Sequence, residues 1–79
     1  MITIYYFAGL KDLTGRESEC LPVSSIRVKE LLEWASRTYE GFPTSANATQ
    51  VAINEEYAHI EDEIQAGDVV AFIPPVSGG

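Results

Sequence analysis

The sequence has little of the chemistry that metal sites and disulfides require, since Cys20 and His59 are its only cysteine and histidine. A single cysteine excludes an internal disulfide, a four-cysteine iron–sulfur cluster and a zinc knuckle. Without a second histidine or cysteine, His59 lacks the companions of a transition-metal site. We therefore predict no bound metal and interpret Cys20 as a strand residue rather than a nucleophile.

Basic residues are also few, with five lysines and arginines against twelve aspartates and glutamates and a formal net charge of −7. Nucleic acids and anionic membranes attract surfaces rich in lysine and arginine, so we expect no binding to either. An acidic surface would instead steer the protein toward a basic partner.

Long apolar runs are missing as well. No segment approaches the ~20 apolar residues of a membrane helix, and residues 1–10 lack the basic region of a signal peptide. A lone cysteine is typical of a reducing compartment. We expect a cytoplasmic protein with a single domain over residues 1–79, of which 74–79 form a flexible C-terminal tail.

Strand and helix patterns alternate along the chain, and their order predicts the fold. The β-branched and aromatic run at 2–7 indicates a strand, and the apolar stripe at 28–39 indicates a helix. The other predicted elements are a helical turn within 8–15, strands at 16–23, 50–53 and 69–73, a possible extension at 57–60, and an irregular or single-turn segment at 60–68.

The order β-β-α-β-(β)-β predicts an α+β fold of the β-grasp (ubiquitin-like) type. We expect a mixed sheet of four to five strands with one main helix across one face. Its first and last strands should lie side by side and parallel. The almost wholly apolar strand at 69–73 should be central and buried on both faces.

Catalytic motifs are lacking: the sequence has no nucleophile elbow, phosphate loop or zinc-protease motif. Glu61, Asp62 and Glu63 are adjacent acids whose side chains point in different directions, whereas an acid–base pair must face one substrate. We expect no autonomous enzymatic activity.

The final segment, AFIPPVSGG, has a stiff base and a thin tip. Prolines hold a chain near extended conformations, glycines add no side-chain bulk, and the six residues 74–79 can reach ~20 Å. Such an arm suits a carboxylate presented inside another protein, where adenylation would activate it. From these residues alone, a carrier and a passive tail remain equally open.

The segments YFAGLKDLTG, AINEEY and AGDVVAFIPPVSGG resemble the small subunits of molybdopterin synthase (MoaD), within the MoaD/ThiS sulfur-carrier family. Thiamine-pathway carriers also end in Gly-Gly but typically lack Pro-Pro-Val.

This resemblance implies that a MoeB-like activating enzyme consumes ATP to adenylate Gly79, and that a sulfur donor converts the adenylate to a thiocarboxylate. The carrier, with no cofactor of its own, would enter the active site of the large subunit (MoaE) in a heterotetramer. There it would pass sulfur to cyclic pyranopterin monophosphate to form the dithiolene of molybdopterin. The tail residues implied in this delivery are Pro74, Pro75, Val76, Ser77 and Gly78.

The resemblance also implies a partner surface that includes Phe7, Lys11, Tyr57 and Ile73. Strand parity agrees, because it places Tyr5 and Phe7 on the sheet face opposite the helix. The family often has arginine where this chain has Lys11, which would make that contact a weaker point charge.

Three alternatives remain: a sulfur carrier for another pathway such as thiazole formation, a β-grasp interaction module with an incidental tail, and a protein modifier attached to lysines.

Overall fold

Seven strands and two helices form the described part of the chain in the computed structural model, which describes residues 1–43 and 49–74. The elements in chain order are β1 (Ile2–Tyr6), α1 (Gly9–Thr14), β2 (Ser18–Leu21), β3 (Ser25–Arg27), α2 (Val28–Thr38), β4 (Gln50–Ile53), β5 (Glu56–Tyr57), β6 (Glu63–Gln65) and β7 (Val69–Ile73).

The main sheet is mixed and contains five strands in the order β2-β1-β7-β4-β5. The first and last strands run parallel, with Ile4 beside Val70 and Tyr6 beside Phe72. The other neighbours in the sheet are antiparallel. This topology confirms the predicted parallel pairing and the central position of β7.

The core lies between the sheet and α2. Alternation along β1 directs Ile2, Ile4 and Tyr6 inward, and all three are buried. The helix contributes residues at i, i+3, i+4 and i+7, as its apolar stripe predicts. Those helical core residues are Val28, Leu31, Leu32 and Ala35.

The start of α2 is secured by a side chain within its own first turn. The backbone N–H of Arg27 donates to Oε1 of Glu30 at 2.9 Å, which occupies a donor that a helix terminus otherwise leaves unpaired. None of the helices among residues 1–43 and 49–74 is both long and apolar enough to cross a membrane.

The prediction of an irregular or single-turn segment at 60–68 is wrong over part of its length. Residues 63–65 form β6, which pairs with β3 in a second, two-stranded sheet. Ile64 is fully buried opposite Ile26. A three-residue strand with one apolar residue between polar neighbours offers too short an alternation to be recognised.

The prediction that β7 is buried on both faces is also wrong. Val70 and Phe72 face the core, but Val69 is 42% exposed and Ala71 and Ile73 are half-buried. Over the described residues, the helix covers one face of the sheet only. The continuous apolar run in β7 therefore reflects a core face and an apolar face that the described chain leaves open.

Candidate docking face

A row of four aligned residues crosses the open face, defined here as the face of the main sheet opposite α2. Tyr5 lies beside Ala71, Ala71 beside Ala52, and Ala52 beside Tyr57. Because directly paired residues point to the same side of a sheet, two alanines form a floor between two tyrosines.

The floor and its walls belong to an open groove of about 700 Å³, called the open-face groove below. Its aromatic side chains are well exposed, with Phe7 at 48% and Tyr57 at 73%. Contiguous exposed aromatic residues are typical of surfaces that bind another protein. The residues lining the groove are Tyr5, Phe7, Ala52, Asn54, Glu55, Tyr57, Val69, Ala71 and Ile73.

The two ends of the open-face groove differ in chemistry. At one end the N–H of Phe7 donates to the carbonyl of Phe72 at 3.2 Å, which brings Phe7 alongside Ile73, and Pro74 follows directly. At the other end the N–H of Asn54 donates to the carbonyl of Val69 at 2.7 Å. The groove thus runs from a polar hairpin to the point where β7 leads into the C-terminal segment.

Three of the four residues predicted for the partner surface come together, since Phe7, Tyr57 and Ile73 all line the open-face groove. Lys11 does not line it; this residue lies exposed on α1. The partner contact of all four stays a prediction. The alanine floor was not anticipated, although the parity of β7 would have placed Ala71 beside Val69 and Ile73.

Of the six residues predicted to form the C-terminal tail, the structure describes Pro74. Pro74 is half-buried at the end of β7. Pro75, Val76, Ser77, Gly78 and Gly79 lie outside the described residues, so their predicted roles stay predictions.

Asn54 and Asp68 hold the polar end of the groove together. Asn54 donates through Nδ2 to Oδ1 of Asp68 at 3.1 Å and accepts from the N–H of Val69 at 3.0 Å. The other oxygen of Asp68 accepts from the N–H of Gln65 at 2.8 Å. These donors, Gln65 first and Asn54 second, lower the pKa of Asp68. The arrangement ties the β4–β5 hairpin to the start of β7.

On the covered face of the sheet, the carboxylate of Glu19 accepts hydrogen bonds from two tyrosine hydroxyls. Tyr6 donates to Oε1 of Glu19 at 2.5 Å, Tyr39 donates to the same oxygen, and Arg16 lies 3.6 Å from Oε2. Burial first, and then the hydrogen bond to Glu19, raise the pKa of Tyr6. The members of this cluster are far apart in the chain, so the sequence alone does not reveal it.

Residues that could bind a metal ion are dispersed over residues 1–43 and 49–74. No group of three or more histidine, cysteine, aspartate or glutamate side chains there is placed to hold a metal ion. Cys20 lies exposed in β2, as expected of a strand residue.

Comparison with known proteins agrees along nearly the whole chain. The sequence profile of the ThiS family matches residues 4–79. A "Molybdopterin synthase sulfur carrier subunit" from Pyrenophora tritici-repentis is 36% identical, over 98% of this chain and 88% of that protein. The human protein of the same name is 32% identical, over 99% and 93% respectively.

The fold is shared with SAMP1 from Haloferax volcanii. Its crystal structure matches with a TM-score of 0.78 at 24% identity, covering 99% of this chain and 98% of that one. This likeness confirms the ubiquitin-like β-grasp fold.

Proposed function

The chain belongs to the ThiS family, and we propose on that basis that it is the sulfur carrier subunit of a molybdopterin synthase. The observation that carries the proposal is the near-complete match to proteins of that name. The structure adds a physical reason, because β7 is both the central strand of the open-face groove and the stem of the C-terminal segment.

The working group in this proposal is the carboxylate of Gly79. A C-terminal carboxylate has a pKa of about 3.5 and is a poor electrophile when ionised. A MoeB-like enzyme would join it to the α-phosphate of ATP and release pyrophosphate. A sulfur nucleophile would then displace AMP and leave a thiocarboxylate. No cofactor bound by this chain is needed, since ATP is consumed on the activating enzyme.

Docking would use the open-face groove. A large synthase subunit (MoaE) covering Phe7, Tyr57 and Ile73 would bury aromatic surface that the described chain leaves exposed. The tail would then start at the edge of the interface, and its six residues could reach ~20 Å into the partner's active site. We propose that two such pairs assemble into a heterotetramer.

Chemistry at the acceptor would belong to the large subunit. The thiocarboxylate would deliver sulfur to cyclic pyranopterin monophosphate, and two deliveries would complete the dithiolene.

Because activation consumes ATP, we propose that the carrier works in the cytoplasm.

Intact-mass spectrometry tests this function. Incubation with the activating enzyme, ATP and sulfide should replace one oxygen of the chain by sulfur. The matched control lacks Gly79 and should gain nothing. An unchanged mass of the full chain, with an activating enzyme shown to work on another carrier, would contradict the proposal.

A further inference from the structure

The turn between β4 and β5 contains a residue in a conformation that its side chain does not favour. Asn54 and Glu55 have positive φ angles of 52° and 73°, as in the type I′ turns of two-residue hairpins. Glycine is preferred at the second position, because a Cβ there crowds the backbone. Glu55 therefore costs stability that glycine would not.

Side-chain hydrogen bonds stabilise Asn54 in its positive-φ conformation, whereas the described residues show none from the side chain of Glu55. The amide of Asn54 bonds to Asp68 and Val69. Over the described residues, the hydrogen bonds and ion pairs include none made by the carboxylate of Glu55. Residues held in strained backbone conformations cluster at binding sites.

The position of Glu55 fits such a role. Among the described residues lining the open-face groove, it alone carries a formal charge at neutral pH. It lies at the Val69 end, whereas Pro74 follows Ile73 at the other end. Four residue steps along β7 separate these ends, or about 13 Å.

We propose that Glu55 binds a lysine or arginine side chain of the protein partner docked on the open face. The net charge of −7 favours a basic partner, and an ion pair at the rim of an apolar interface fixes register and speeds encounter. With Glu55 at one end and the tail at the other, the partner is held in the orientation that receives the tail. This inference rests on the proposed docking of a large synthase subunit.

Three variants separate charge from strain. Glu55→Gln keeps a side chain at the strained position and removes the charge, while Glu55→Gly removes both. Glu56→Gln is the matched control, since Glu56 is next in the chain but pairs with Ile53 and does not line the groove. Titration calorimetry with the purified large synthase subunit, at low and high salt, measures the affinities.

We expect Glu55→Gln to weaken binding about three- to tenfold at low salt and to reduce its salt dependence, since exposed charge pairs are screened by salt. Glu55→Gly should bind equally weakly yet melt at a higher temperature than the wild type. Glu56→Gln should bind like the wild type.

Wild-type binding that both Glu55 variants match would overturn the inference and leave the proposed function intact. Equal losses in Glu55→Gln and Glu56→Gln would also overturn it, because the effect would then be one of net charge. A wild-type chain that does not bind the large subunit would contradict the docking proposal, and this inference with it.

Discussion

Removing the hydroxyl of Tyr6 should destabilise the fold without touching the open-face groove. Tyr6 is 2% exposed, and its phenol donates to Glu19, whose side chain is itself only 14% exposed. A hydrogen bond to a charged group contributes ~1.5–3 kcal/mol. Because Tyr39 still donates to the same oxygen in the Tyr6→Phe variant, we expect a loss near the lower end, about 1.5–2 kcal/mol.

Urea and thermal denaturation followed by circular dichroism measure this loss. In a domain of this size each kcal/mol shifts Tm by ~4–8 °C, so Tyr6→Phe should melt roughly 6–16 °C lower. The Tyr6→Phe, Tyr39→Phe double variant should lose more than the sum of the single losses. In that double variant, the carboxylate of Glu19 would retain only Arg16 of its three partners among the described residues.

The same cluster predicts a loss of stability at high pH. Burial and Glu19 raise the pKa of Tyr6 above its unfolded value of about 10. The stability that the protonated Tyr6 hydroxyl contributes is therefore fully present below about pH 10 and is lost as pH rises toward the pKa of Tyr6 in the folded state. Tyr6→Phe should flatten this loss.

Tyr5→Phe is the matched control, because Tyr5 is exposed on the other face and should change stability by under ~0.5 kcal/mol. If Tyr6→Phe unfolds at the same urea concentration as Tyr5→Phe, at neutral and at high pH, the account of this cluster is wrong.

Three further predictions concern the core, the hairpin and the groove. Phe72→Ala should cost about 3–5 kcal/mol in urea denaturation, because it removes a fully buried ring from the core, and a loss below ~1 kcal/mol would refute that packing. Asp68→Asn should reduce the acid sensitivity of folding. The hydrogen bonds that lower the pKa of Asp68 stabilise the fold above the unfolded pKa of about 3.9, and this stabilisation is lost as pH falls through the folded pKa. Acid titrations of the variant that match the wild type would contradict the assignment. Ala71→Trp fills the floor between the two tyrosines and should weaken binding of the large subunit at least ~10-fold by calorimetry, because the bulky ring destroys shape complementarity. An affinity equal to that of the wild type would show that the large subunit does not dock on this groove.

Periodicity in the sequence was sufficient to predict three of the elements that pack the core. The alternation in β1, the helical stripe of α2 and the apolar run of β7 each match the structure. β6 was missed because Ile64 is its only apolar residue. The second face of β7 was misjudged, since an apolar run looks the same whether it meets the core or an open surface.

The candidate site was predictable in part. Resemblance supplied Phe7, Tyr57 and Ile73, which the fold brings into one groove. The alanine floor depends on the register between β4 and β7, and that pairing is non-local. Asn54 indicated a turn, but the positive φ of Glu55 follows from the two-residue length of the hairpin, which the sequence alone left uncertain.

The central claim is that sulfur leaves this chain for a pterin held by another subunit. The most direct measurement mixes the thiocarboxylated chain with the large subunit and cyclic pyranopterin monophosphate, and follows the intact mass of the chain alongside the product. The account predicts that the mass returns to that of the carboxylate, with two carriers consumed for each dithiolene formed. A thiocarboxylate that persists while the two subunits are bound, or product that forms without loss of sulfur from the chain, would contradict it.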